Sequence, residues 1–450
     1  MSQPNVTIIG AGYVGLPTAA LLANCGYKVN LLEIDDKRLS AIKQGNSFFY
    51  EAGLNELIKS AYKSGNFIAT SSYDEAIPGS DIVFSCVGTP DNQDGSSNLS
   101  YVFDAATSAA KLMRPKTIFV QKSTVPVGTG QKIEQVFDKL GKQINYVSNP
   151  EFLREGSAIA DSLWADRIVA GCDNSTAGQV ISLYKSIEQS QNRLAKLAGV
   201  SAPSHPQPTN YITTARNSAE LIKVSANAFL ALKISFANSI AKLADLASAD
   251  VNEVMDGIGS DKRIGRAFLN AGRGYGGGCF PKDVSGLMRS AEEYGVDMEI
   301  MSAATKVNNS MPHYIINKAE NRLGGSWTGK KICVLGLAFK AGTSDVRRSP
   351  AIIIANTLAQ KGASVSAYDP EAMPEAASKL DPKIKLATSS TEALAAASYV
   401  FIATDWPEFK TIKPKQLSQV KLIVDCMNCL DKKLVPPSVD YLSVGRTRLA

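Results

Sequence analysis

The chain has 450 residues, 44% of them hydrophobic and 20% charged, with a formal net charge of +6. That length exceeds what one hydrophobic core ordinarily organises, and the balance is that of a globular protein, so two or three domains are expected and a disordered or fibrous chain is excluded. The Lys and Arg are dispersed, with no basic helix and no aromatic-basic interleaving, which argues against nucleic acid and leaves an anionic small molecule as a ligand the charge could help attract.

The start, Met-Ser-Gln-Pro-Asn, lacks the basic head and cleavage site of a signal peptide. No stretch reads as the roughly 18 apolar residues of a membrane span. A cytoplasmic protein without a membrane partner is therefore expected. Residues 6–10 form a short apolar run that meets Gly-Ala-Gly-Tyr-Val-Gly, then a helical stretch over 16–25 and a second strand over 28–34. Further β-rich runs at 82–87, 117–121 and 145–148, with helical patterns between them, predict a parallel sheet covered on both faces. Residues 186–212 are polar and proline-rich and read as a loop or linker. From 218 to 249 no proline or glycine interrupts a run dominated by Ala, Leu and Lys. At about 1.5 Å per residue it would make a helix of roughly 45 Å, long enough to scaffold domains or form a dimer interface. The alternation resumes after Ser326, with strands at 331–336, 364–369, 399–404 and 422–425 and a helix at 351–360. The expected fold class is α/β: two doubly wound Rossmann-like domains joined by a central long-helix domain, with boundaries 1–210, 211–312 and 313–450.

Gly10, Gly12 and Gly15 form G-x-G-x-x-G between a strand and a helix. The first two suit a tight turn close to a pyrophosphate, and the third suits close helix–strand packing. Tyr13 and Val14 lie inside the turn. Glu33 follows at the end of the second strand, with Arg38 beyond it, where a carboxylate would accept the ribose hydroxyls and repel a 2′-phosphate. NAD is the expected cofactor; the bland alternative is an ordinary strand-turn-helix with a surface glutamate. Cys86-Val87-Gly88-Thr89-Pro90 and Ser123-Thr124-Val125-Pro126 end two further strands and read as either turns or an active-site rim. In Asn149-Pro150-Glu151-Phe152-Leu153-Arg154-Glu155-Gly156 the two carboxylates read equally as a solvated helix start or as a source of a general base.

Gly272-Arg273-Gly274-Tyr275-Gly276-Gly277-Gly278-Cys279-Phe280-Pro281-Lys282-Asp283 is the most informative segment. Its glycines would let backbone approach a ligand, and Pro281 suits a first helical turn. Cys279 would then sit where the helix dipole and Lys282 favour a thiolate, unless it is a buried structural cysteine. No metal site is expected. Cys426 and Cys429 form a lone CxxC, read as strand-end packing with zinc or redox chemistry as the alternative.

Together these segments resemble the UDP-glucose/GDP-mannose dehydrogenase family, most closely its UDP-glucose branch. GYGGGCFPKD, preceded by DKRIGRAFL, is the most specific part. The resemblance implies an N-terminal NAD domain, a central helical dimerisation domain and a C-terminal nucleotide-sugar domain, in a homodimer or higher homo-oligomer. It makes Cys279 the catalytic cysteine and Asp283 the active-site aspartate, with Thr124, Glu151 and Glu155 from the two loops. Lys223 and Asn227 come from SAELIKVSAN. Phe339 and Lys340 would contact the nucleotide, Arg347 would reach the cofactor, and Arg263 would serve a neighbouring subunit's substrate pocket. Phe152, Leu153, Phe268, Leu269, Tyr275 and Gly276 complete the implied substrate set. One departure stands out: Met427, in Asp-Cys-Met-Asn, lies where the family commonly has arginine.

Residues and resemblance give one expected mechanism, in which a nucleotide sugar is oxidised to an acid through a thiohemiacetal and a thioester on Cys279. Lys223 and Asn227 would stabilise oxyanions at C6, Glu151 would act as base in thioester hydrolysis, and Thr124 and Asp283 would position water. The other readings are a GDP-mannose or UDP-N-acetylhexosamine dehydrogenase of the same mechanism, a one-hydride dehydrogenase, and a non-catalytic nucleotide-sugar sensor.

Overall fold

A computed structural model describes residues 3–92, 94–172 and 176–446. Its contacts divide the chain into two compact units, one of Met1–Ala226 with Ser285–Glu293, the other of Asn227–Val284 with Tyr294–Ala450.

The first unit is built on eight strands: β1 (Val6–Ile9), β2 (Val29–Leu32), β3 (Phe67–Thr70), β4 (Ile82–Ser85), β5 (Ile118–Gln121), β6 (Asn145–Ser148), β7 (Arg167–Gly171) and β8 (Asn210–Thr214). Their spatial order is 3-2-1-4-5-6-7-8. All neighbours run parallel except β6 and β7. β1, β4 and β5 are buried along their whole length, which is why they read as continuous apolar runs rather than alternating ones. The order reverses beside β1, so the carboxyl ends of β1 and β4 flank a crevice, the place where such sheets take ligands.

The second unit holds β9 (Lys331–Leu335), β10 (Ser364–Tyr368), β11 (Lys385–Leu386), β12 (Tyr399–Ile402), β13 (Leu422–Asp425) and β14 (Asp440–Ser443). They pair in parallel in the order 11-10-9-12-13-14, with the reversal between β9 and β12. One core runs from this sheet to the helices Val251–Gly259 and Glu299–Leu323 and to Ala237, Ala241 and Ala244 of Arg216–Ala247. Trp327, fully buried, packs its edge on Tyr399 and Phe401. The α/β class and the two doubly wound sheets follow the expectation.

Two expectations are corrected. Residues 186–212 are a loop only in part: helix Ala177–Gln189 runs through the first of them, Gln191–Ala198 is a second helix and Asn210 opens β8, while 199–209 carry neither helix nor strand. Leu194, Ala195 and Ala198 recur on one helical face and are buried, a pattern masked by the polar residues between them. The absence of a membrane-length apolar stretch also fails by length and composition alone, because Arg216–Ala247 has 32 residues and an apolar window. Alanine is its commonest apolar residue, it carries Glu220, Lys223, Lys233, Lys242 and Asp245, and 44% of its most apolar window is buried in protein.

Candidate active site

In the first unit the glycine turn has the geometry of a phosphate loop. Gly10 takes φ +94°, and a Cβ on Gly15 would lie 1.9 Å from the Gly10 carbonyl oxygen, so helix Gly15–Asn24 can start here only without a side chain. A Cβ on Gly12 would meet nothing within 4 Å, which leaves its side of the turn open. Glu33 is buried and turned to the same loop; its carboxylate accepts the Ala11 N–H at 3.2 Å and the Asp35 N–H at 3.0 Å. An open glycine cradle with a fixed carboxylate at the next strand end fits a dinucleotide without a 2′-phosphate. Tyr13 packs on Phe49, Val14 is half-buried, and Arg38 lies over the Phe48 ring beside Asp35.

The two small-polar loops are joined. Ser123 Oγ donates to the Val87 carbonyl at 2.7 Å, which ties the loop of Gly88 and Thr89 to the loop of Thr124. Glu151 decides between the two readings of its motif: it is buried in a loop after β6, not on a solvated helix start, and the helix begins only at Ala158. Its Oε1 lies 3.1 Å from Lys223 Nζ, with the two side chains 8% and 4% exposed. Its Oε2 accepts the Leu153 N–H at 2.5 Å. Phe152 lies under two cations, Arg167 at 3.8 Å and Lys223 at 5.3 Å from its ring centre. Glu155 is half-buried in the same loop.

In the second unit Cys279 immediately precedes helix Phe280–Glu293, and its carbonyl accepts the Asp283 N–H at 2.8 Å. The cysteine therefore stands at the positive end of that helix. Asp283, buried, accepts from Asn227 Nδ2 at 2.6 Å and pairs with Lys282 Nζ at 2.7 Å. Lys282 is thus engaged by a carboxylate, a partner the sequence reading did not give it. The glycines before Cys279 also differ from expectation: they admit the chain's own segments. A Cβ on Gly277 would lie 2.8 Å from the Phe339 ring, and one on Gly278 would lie 2.4 Å from the Arg347 guanidinium. Arg347 is held by Asp345, and Lys340 reaches over the Phe339 ring. Tyr275 and Phe268 both face Phe280, while Leu269 is buried and Gly276 abuts the Arg348 backbone. Arg263 is exposed and paired only with neighbouring Asp261 among the described residues.

Several residues that hold this loop carried no signal in the sequence. Asn238 Oδ1 accepts the Gly272 N–H at 2.8 Å. Asn308 accepts the Tyr275 N–H at 2.8 Å and donates to the Tyr275 carbonyl at 3.1 Å. In the first unit Glu220 accepts the Gly128 and Gly130 N–H groups at 2.7 and 2.8 Å, and burial pushes its carboxyl up to about 7. Cys426 is fully buried, and the Cys429 thiol donates to Asp425; burial raises both thiols. Packing accounts for this pair, and the described residues hold no cluster suited to a metal ion.

Comparison with known proteins gives this geometry its context. Residues 4–188 match the NAD binding domain of the UDP-glucose/GDP-mannose dehydrogenase family, 217–310 its central domain and 333–432 its UDP binding domain. The chain is 41% identical to a UDP-glucose 6-dehydrogenase of Bacillus subtilis over 98% of both chains, and 39% identical to one of Rhizobium meliloti, covering 98% of this chain and 99% of that one. Among solved structures it resembles a UDP-glucose dehydrogenase from Pyrobaculum islandicum with a TM-score of 0.87 and 34% identity, covering 98% and 97% of the two chains. A UDP-D-ManNAc dehydrogenase from Pyrococcus horikoshii gives 0.84 at 25% identity, covering 99% and 100%. With an NAD-binding glycine turn, a cysteine at a helix start and full-length similarity of this degree, the chain is an NAD-dependent oxidoreductase belonging to the UDP-glucose/GDP-mannose dehydrogenase family.

Proposed function

We propose that the chain oxidises UDP-glucose to UDP-glucuronate through a covalent intermediate on Cys279. The observation that carries the reading is the buried Asn227–Asp283 pair beside the helix start that follows Cys279. The glycine turn and Glu33 would hold NAD, which would supply the hydride acceptor for both oxidations. In our reading Lys223 and Asn227, four residues apart on one helix and so on one face, stabilise the oxyanions that form at C6. The Cys279 thiolate adds to the bound aldehyde and holds it as a thiohemiacetal, so it cannot escape before the second oxidation. Glu151 activates the water that cleaves the resulting thioester, and Asp283 and Thr124 orient that water. The Glu151–Lys223 contact supports this, because it sets a buried carboxylate 3.1 Å from a buried lysine in one site.

We assign NAD binding to 1–210, dimerisation to 211–312 and nucleotide-sugar binding to 313–450. A second copy of the chain is the proposed partner. Phe229, Phe236 and Leu243 recur every seven residues along Arg216–Ala247 and are 60%, 46% and 62% exposed, an apolar stripe suited to a twin helix. Arg263, exposed nearby in sequence, would serve the partner's pocket. A panel of sugar nucleotides followed by NADH formation tests the substrate. UDP-glucose should turn over at least roughly tenfold faster, by kcat/KM, than GDP-mannose or UDP-N-acetylhexosamines, a discrimination within reach of one or two pocket contacts. Preference for an acetamido sugar would replace the substrate and leave the mechanism standing.

A further inference from the structure

Arg273 is fully buried, and among the described residues it forms no ion pair: its guanidinium donates to neutral oxygens. Nε points at the Ala403 carbonyl, and the second terminal nitrogen donates to the carbonyls of Phe339 at 2.9 Å and Ala338 at 3.2 Å and to Thr404 Oγ1 at 3.2 Å. Its other terminal nitrogen, Nη1, is buried and has no hydrogen-bond partner among the described residues. The carboxylates of Asp405 and Asp369 act on it through charge without a hydrogen bond, and Asp369 already accepts five N–H donors, from Leu337, Ala338, Glu371, Ala372 and Trp406. Burial pulls the guanidinium down to about 10. A buried cation left this way carries a large desolvation cost, which an anion would offset.

Its location says where that anion belongs. Ala338, Phe339, Ala403 and Thr404 follow β9 and β12, the two strands between which the second sheet reverses its order, so Arg273 sits at the carboxyl-end crevice where doubly wound sheets bind ligands. It also lines a cavity of about 350 Å³, together with Phe268, Gly272, Asp405, Met427 and Asn428. Met427 lies against the same backbone: a Cβ on Gly272 would be 3.6 Å from its sulfur. A thioether offers no charge and no donor to a phosphate.

We propose that Arg273 supplies the positive charge that binds the diphosphate of the nucleotide sugar at this cavity, where Met427 offers none. The assignment rests on the nucleotide-sugar reading above and deepens it. It predicts that the diphosphate is held by the segment that carries the nucleophile.

Calorimetric titration of the full-length protein with UDP and with uridine tests this, because the ratio of the two affinities isolates the diphosphate. Arg273→Met should lower the UDP-over-uridine ratio by roughly 30-fold, the scale of one hydrogen-bonded charge. Adding Met427→Arg to that variant should restore most of the ratio. If Arg273→Met weakened UDP and uridine equally, or if Met427→Arg gave no rescue, Arg273 would be a structural strap and the proposal would be overturned. If Arg273→Met does not fold, Met427→Arg alone decides: a gain in UDP affinity below about tenfold supports a cation already in place, and a larger gain contradicts it. Failure of wild type to bind UDP at all would instead remove the nucleotide-sugar reading itself.

Discussion

Replacing Lys223 by Met leaves the Glu151 carboxylate in its buried loop with its cation gone. The pair is 3.1 Å apart with both side chains less than a tenth exposed, so solvent screens it little. Removing one member of such a pair costs about 3–5 kcal/mol, because the remaining charge keeps its desolvation penalty. For a unit of this size that is a fall of roughly 10 °C in Tm. The Leu153 N–H still donates to Glu151 and Phe152 still stacks on Arg167, so the loop keeps two of its anchors. Lys223→Met with Glu151→Gln removes both charges and should regain most of the loss, to within about 1–2 kcal/mol of wild type. Calorimetric melting of wild type, both single variants and the double variant closes the cycle. A coupling energy below about 1 kcal/mol would refute the claim that this is a desolvated pair. NADH formation from UDP-glucose should fall in all three variants, including the double variant that recovers stability.

Two further outcomes follow from other parts of the molecule. The buried Glu220 carboxyl sits at about 7 against an ordinary 4.5, so the folded unit holds a proton that the unfolded chain releases between those values. Stability attributable to it is therefore full below about pH 4.5 and falls, by up to about 3 kcal/mol, as pH rises to 7. Glu220→Gln should flatten that slope in urea unfolding at pH 5 and 8, and an unchanged slope would assign it to other groups. Phe236→Glu, in the middle of the exposed stripe, should yield monomers by light scattering and raise the KM for sugar nucleotide, as Arg263→Ala should without dissociation. Full activity in a monomer would rule out a shared site.

Much of the architecture was legible because β1, β4, β5, β9, β12 and β13 are buried along nearly their whole length, and burial on both faces writes an uninterrupted apolar run. β8 and β11 are hardly buried, and β11 is two residues long, so neither leaves a pattern to read. The same reason hid helix Gln191–Ala198 inside a stretch that is polar on average. At the site, identity was readable where chemistry demands a residue type at fixed spacing, as in Gly10-x-Gly12-x-x-Gly15 and Cys279-Phe-Pro-Lys-Asp283. Partnership was not. Glu151 meets Lys223 across 72 positions, and Arg273 meets Phe339 and Thr404 across 66 and 131, distances that only the folded chain closes. Asn238 and Asn308 look like any helical asparagine until their side chains are seen holding the backbone before Cys279.

The claim that organises all of this is the covalent role of Cys279, and the yield of NADH per sugar measures it most directly. Wild type given limiting UDP-glucose and excess NAD should form two NADH per sugar consumed and release no free aldehyde. Cys279→Ala should lose that turnover yet still reduce externally supplied UDP-glucose aldehyde with NADH, because the first hydride step does not need the sulfur. Cys279→Ser should stall, with the sugar held as an ester that intact-mass measurement detects. Two NADH per sugar from Cys279→Ala at the wild-type rate would make the cysteine structural, and the covalent mechanism would have to be abandoned.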